Sequence, residues 1–113
     1  MLSTNYRKTL AMKSIIEKLS ENVQLIYRKA IDADQIISQL RNSGKGKFAA
    51  IFADDAGFEH QGKFFKPYVE EVAKAIQQLN ELEEETQKKR IAKIVKQMEK
   101  LLATLSQFQM SVR

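Results

Sequence analysis

From Met12 to Leu40 an apolar residue returns at alternating intervals of four and three without a miss: Met12, Ile16, Leu19, Val23, Ile26, Ala30, Ala33, Ile37 and Leu40. A strand repeats every second residue, so this spacing excludes a strand and lines nine side chains along one stripe of a helix. Over four heptads such a stripe needs a partner surface. Ala30 and Ala33 allow that partner to come close. Ser14 with Glu17 forms a capping box that can mark the start of this helix, and a start nearer Ser3 is the alternative. Its end is expected after Leu40, where Arg41 suits the negative end of the helix dipole and Gly44 can cap.

All four glycines and the single proline fall between Gly44 and Pro67, which leaves long uninterrupted segments rich in Leu, Ile, Lys, Glu and Gln on either side. Within the interval, Phe48, Ile51 and Phe52 predict a short helix. Asp54-Asp55-Ala56-Gly57 predicts a turn and Phe58 to Lys66 a loop. Pro67 fits the first turn of a further helix, whose seam is Phe65, Val69, Val72, Ile76, Leu79 and Leu82. No apolar residue lies between Glu83 and Arg90. The seam then resumes as Ile91, Ile94, Met98, Leu101, Leu105 and Phe108. A break near Thr86 is the preferred reading. One continuous helix, supported by Glu84–Lys88 and Glu85–Lys89 pairs four residues apart, is the alternative.

These elements predict an all-α fold: one domain over residues 1–113, an antiparallel helical bundle of three long amphipathic helices plus a short aromatic helix or loop. The helices are expected at about 5–41, 47–53, 67–82 and 87–109. Leu19, Val23, Ile26, Val72, Ile76, Leu79, Met98, Leu101 and Leu105 are the expected core. Either the seams pack only on each other, or one stays partly open for a second chain, as in a coiled-coil dimer.

The catalytic repertoire is narrow. The chain has no cysteine and one histidine, His60, which removes thiolate chemistry, disulfides and a multi-histidine metal site within one chain. Asp54, Asp55, Glu59 and His60 lack the alternating oxygens of a calcium loop and read as a turn with surface carboxylates. Ser43-Gly44-Lys45-Gly46-Lys47 lacks the spacing of a phosphate loop and reads as a basic turn. No enzyme, cofactor or metal is expected. No apolar run approaches the roughly 18 residues a membrane span requires, and no membrane partner is expected.

Charge is the informative feature. Residues 1–29 carry a formal +4, residues 30–85 carry −5, and residues 86–113 carry +6. In the last helix Lys89, Lys93, Lys96 and Lys100 share a face, out of phase with Ile91, Ile94, Val95, Met98 and Leu102, and so are expected on its solvent side. Lys88 and Arg90 thicken the start of this stripe. Amines spread along about 16 Å of helix can follow a nucleic-acid backbone and release its counterions. A solvated face is the plainer reading, yet Glu99 is the sole acid after Glu85. A second candidate site is aromatic. Phe48, Phe52, Phe58, Phe64, Phe65 and Tyr68 lie within 21 residues, with Lys63 and Lys66 among them. They either plug one end of the bundle or form a pocket for an acidic, apolar peptide tail.

The run Phe64-Phe65-Lys66-Pro67-Tyr68-Val69-Glu70-Glu71-Val72, followed by Ile76 and Leu79, resembles the bacterial primosomal replication protein N″ (PriC) family. Arg90-Ile91-Ala92 leading into Gln97-Met98-Glu99-Lys100-Leu101-Leu102, and the opening Ile15-Ile16-Glu17-Lys18-Leu19, are similar to segments of the same family. The likeness spans about residues 12–108. The aromatic loop departs from the family's compact Phe-Asp…Leu-Phe segment, and the chain ends where a basic C-terminal region would begin. The resemblance implies a helical, non-enzymatic, cytoplasmic replication-restart factor. Its implied partners are single-stranded or forked DNA, and the tail of single-stranded DNA-binding protein or another replication protein. It transfers no functional residue. The competing expectation is a helical adaptor or chaperone that forms a homodimer through one seam and has no affinity for nucleic acid.

Overall fold

The computed structural model describes residues 4–44, 50–53 and 55–112, with side chains from Leu10 onward. The described residues are helical apart from connecting segments and contain no strand. Three helices make up the fold: α1 (Thr4–Asn42), α2 (Lys66–Gln78) and α3 (Glu84–Ser111). Helix α1, with 39 residues, dominates a molecule measuring 65 × 24 × 18 Å. Its start at Thr4 agrees with the alternative nearer Ser3, and Ser14 lies inside the helix. Its end is as expected. Ser43 N–H donates to the Gln39 carbonyl at 3.1 Å, and Gly44 takes a left-handed φ of 74°, a conformation that disfavours a β-carbon.

Helix α2 departs from expectation. It is 13 residues long, followed by a 3₁₀ turn at Leu79–Glu81, so two helices are long and one is short. The chain between α2 and α3 breaks at Leu82 and Glu83, both extended, and Thr86 lies within α3. Two residues explain the position. Leu82 is the last of the seam and turns inward. Gln87, one turn into α3, donates its side-chain amide to the Leu79 carbonyl at 2.8 Å, satisfying a helix-end acceptor. Glu84 and Glu85 then occupy the first turn of α3, where the helix dipole favours acids. The Glu84–Lys88 pair offered for a continuous helix forms inside α3 at 3.7 Å.

The short helix expected at 47–53 is not present at residues 50–53, which are irregular; Phe48 lies outside the described residues. Ile51 instead donates its N–H to the Gly62 carbonyl at 2.8 Å, so its backbone is committed across the loop. Ala56 N–H closes the turn onto the Ala53 carbonyl at 3.0 Å, and Gly57 takes a φ of 97°.

The nine expected core residues are all buried, joined by Ala30, Ala33, Ile37, Phe58, Phe65, Tyr68, Val69 and Ile94. At α2 the first backbone N–H groups have no partner within their own helix. Asp34, from α1, supplies it: one carboxylate oxygen accepts from Phe65 N–H at 2.7 Å and the other from Lys66 N–H at 2.9 Å. The capping acid therefore comes from a different helix and also complements the dipole of α2. Asp34→Ala is expected to destabilise the protein by about 1–2 kcal/mol, the usual range for losing a cap. Asp34→Asn, which keeps one acceptor oxygen, should recover part of it. Urea unfolding of both variants reads this, and an unchanged midpoint for the alanine variant would remove Asp34 from the account.

Candidate nucleic-acid interface

The buried edge of α3 is Ile94, Gln97, Met98, Leu101 and Leu105. Val95 and Leu102, expected on the apolar side, are 38% and 44% exposed. The core face is thus turned from Val95 and Leu102 toward Gln97. The cause is a tertiary contact: the Gln97 amide donates to the Gly57 carbonyl at 2.8 Å and to a Glu71 carboxylate oxygen at 3.3 Å. A buried amide is tolerated because its N–H groups are used.

This rotation changes the meaning of the lysine stripe. Lys88, Lys89, Arg90, Lys93, Lys96 and Lys100 are all exposed, as expected. Lys93 and Lys100 nevertheless lie one turn before and one turn after Gln97, beside the seam rather than opposite it. Lys100 donates to the Ala56 carbonyl and so secures the turn. Lys93 and Arg90 line a groove of about 210 Å³ between α2 and α3, together with Lys74, Gln78, Glu59 and Glu71.

Glu71 organises this corner. One carboxylate oxygen accepts from His60 N–H at 2.8 Å; the other accepts from Glu59 N–H at 3.0 Å and from Gln97. The roles of Asp34, Glu71 and Gln97 are not among the sequence expectations. For Gln97 a signal existed: a polar residue three after Ile94 and four before Leu101 sits at a seam position. For Asp34 and Glu71 the only signal was adjacency to seam residues Ala33 and Val72.

The aromatic residues are largely spent on one another. Phe58, Phe65 and Tyr68 are buried, while Phe52 and Phe64 are half-buried. Phe52 stacks on Phe58 with centroids 4.7 Å apart, and both meet Tyr68 edge-on at 5.1 and 5.2 Å. His60 packs on Tyr68 at 4.8 Å, and Phe65 meets Phe108 of α3 at 5.8 Å. Such edge-to-face and offset contacts suit a plug at the end of a core. The Tyr68 hydroxyl accepts from Gly62 N–H at 2.9 Å and donates to the Gly62 carbonyl at 3.2 Å. Lys63 and Lys66 are exposed. Phe64, under the Arg41 guanidinium at 5.6 Å, borders with Lys66, Pro67, Gln35 and Ser38 an open groove of about 580 Å³ between α1 and the start of α2.

Among the described residues no group of three or more acids or histidines is placed to hold a metal, and no helix is long and apolar enough to cross a membrane. The fold and the exposed cations define a small all-α protein with one basic helix face. Compared with family models, curated proteins and solved structures, the chain matches none.

Proposed function

We propose that the protein binds nucleic acid through the phosphate backbone, using the basic face of α3, and that it acts without catalysing a reaction. The observation that carries this reading is the exposure of Lys88, Lys89, Arg90, Lys93, Lys96 and Lys100 on a helix whose sole acid after Glu85 is Glu99. Lysine amines are point charges with no planar fork, so they hold phosphates and do not read base edges. Stacking rings are lacking there as well. Affinity is accordingly that of non-specific binding, about 10⁻⁴–10⁻⁶ M at physiological salt. The resemblance to the primosomal family makes replication restart the fitting process and single-stranded or forked DNA the fitting ligand. An acidic, apolar peptide of a replication protein is a fitting second partner for the groove beside Phe64 and Lys66, where a ring and an amine remain accessible together.

The test is fluorescence anisotropy against single-stranded, duplex and forked DNA at several salt concentrations. Lys89, Lys93 and Lys96 are changed together to glutamine, and Lys100 is left in place because it holds the turn at Ala56. Each amine removed should flatten the log–log salt dependence by about 0.7 to 0.9, so the triple variant should lose about 2 to 3 and bind all sequences equally poorly. A triple variant that binds as the parent does, with the same slope, reduces the stripe to a solvated face. The adaptor reading, tested by light-scattering mass against concentration, then takes first place.

A further inference from the structure

The cations of α3 do not act from α3 alone. Lys74 of α2 borders the same groove as Arg90 and Lys93, and the two amide side chains Gln78 and Gln97 complete its polar lining. Two carboxylates, Glu59 and Glu71, also face it. Glu71 is already occupied, since its oxygens accept two backbone N–H groups and the Gln97 amide. The side chains of Lys74, Arg90 and Lys93 make no ion pair or hydrogen bond with another described residue. Three cations from two helices, their side chains unpaired, outnumber the two carboxylates around one concavity and leave room for an anion.

Resting on the reading of α3 as a phosphate-binding face, we infer that the α2–α3 groove seats one backbone phosphodiester of a bound strand between Lys74, Arg90 and Lys93. The rest of the strand continues past Lys96 along α3. A phosphodiester suits the site because its two free oxygens carry one negative charge and match the planar fork of Arg90, while two amines approach from either side. The groove confers register: the strand lies between the helices instead of sliding over an isolated helix face. Glu59 and Glu71 oppose it, Glu71 less so because three N–H donors are directed at its carboxylate.

Lys74 provides the decisive test, because nothing in a single-helix stripe involves it. A hydroxyl-ended single-stranded oligonucleotide is titrated by anisotropy from about 0.05 to 0.3 M salt, the span over which phosphate contacts are resolved. Lys74→Gln should lower the salt slope by about 0.7 to 0.9, which corresponds to roughly fivefold to eightfold weaker binding at 0.1 M. Glu59→Gln should tighten binding. Lys29→Gln, an exposed change in the groove between α1 and α3, should leave both affinity and slope unchanged. If Lys74→Gln binds with the parent's slope while the parent binds well, the groove is empty of phosphate and the stripe stands without it. If Lys29→Gln costs as much as Lys74→Gln, binding is diffuse and the groove is overturned. A parent that binds no strand at any salt overturns the stripe and the groove together.

Discussion

Replacing Leu101 by alanine is expected to cost about 2–5 kcal/mol, through lost burial and the cavity left behind. Leu101 is 0% exposed, and its neighbours in the seam, Met98 and Leu105, are 6% and 1% exposed, so little solvent can enter to relieve the void. For a chain of this length, the melting temperature should fall by roughly 4 °C per kcal/mol, or about 8–20 °C in all. Total stability of a domain is typically about 5–15 kcal/mol, so the variant is left with a narrow margin. The next residue provides the contrast. Leu102 is 44% exposed beside Leu25 and Val95 in the shallow groove between α1 and α3. Leu102→Ala should change stability by about 0.5 kcal/mol or less. Thermal unfolding followed by circular dichroism measures both. Equal melting temperatures for the two variants would mean that the rotational phase of α3 is wrong, and with it the placement of the lysines.

Glu71→Ala should be nearly as costly, about 2–4 kcal/mol, for a different reason. Two backbone donors lose their acceptor at once, the N–H groups of Glu59 and His60, and the Gln97 amide is left with the Gly57 carbonyl alone. A buried donor left without a partner costs about 1–3 kcal/mol, and the partial exposure of the loop reduces the sum. Glu71→Gln keeps one acceptor oxygen and should recover roughly half. Hydrogen exchange separates this from a general loss of stability. The amides of Glu59 and His60 should exchange much faster in the alanine variant, while those in the middle of α1 track global unfolding. Unchanged protection at Glu59 and His60 would mean that the loop is held by its aromatic contacts alone. The loop also bears on binding, because Glu71 and Gln97 shape the groove beside Lys93.

Most of the helical architecture was legible in residue spacing. The seams of α1 and α3 and the glycine end of α1 follow from periodicity and end signals, and the nine core residues from the same pattern. These are properties of a chain folded on itself over one or two turns, where 3.6 residues per turn decides which side chains share a face. The irregular backbone at residues 50–53 departs from the expected helix, an expectation that arises because Ile51 and Phe52 mimic one helical turn. Their actual partners are Gly62 and the rings of Phe58 and Tyr68, which no local rule specifies.

The break before α3, the cap of α2 and the orientation of the basic face belong to the tertiary structure. Gln87 reaches back to Leu79, Asp34 reaches 31 residues forward to Phe65, and Gln97 reaches 40 residues back to Gly57. That last contact turns α3 about its axis, exposing Val95 and Leu102 and bringing Lys93 toward Lys74. Sequence alone determined that α3 has a greasy side and a lysine side. Which edge of each would face α2 was decided only when a buried amide required an acceptor and the loop at Gly57, together with Glu71, provided one.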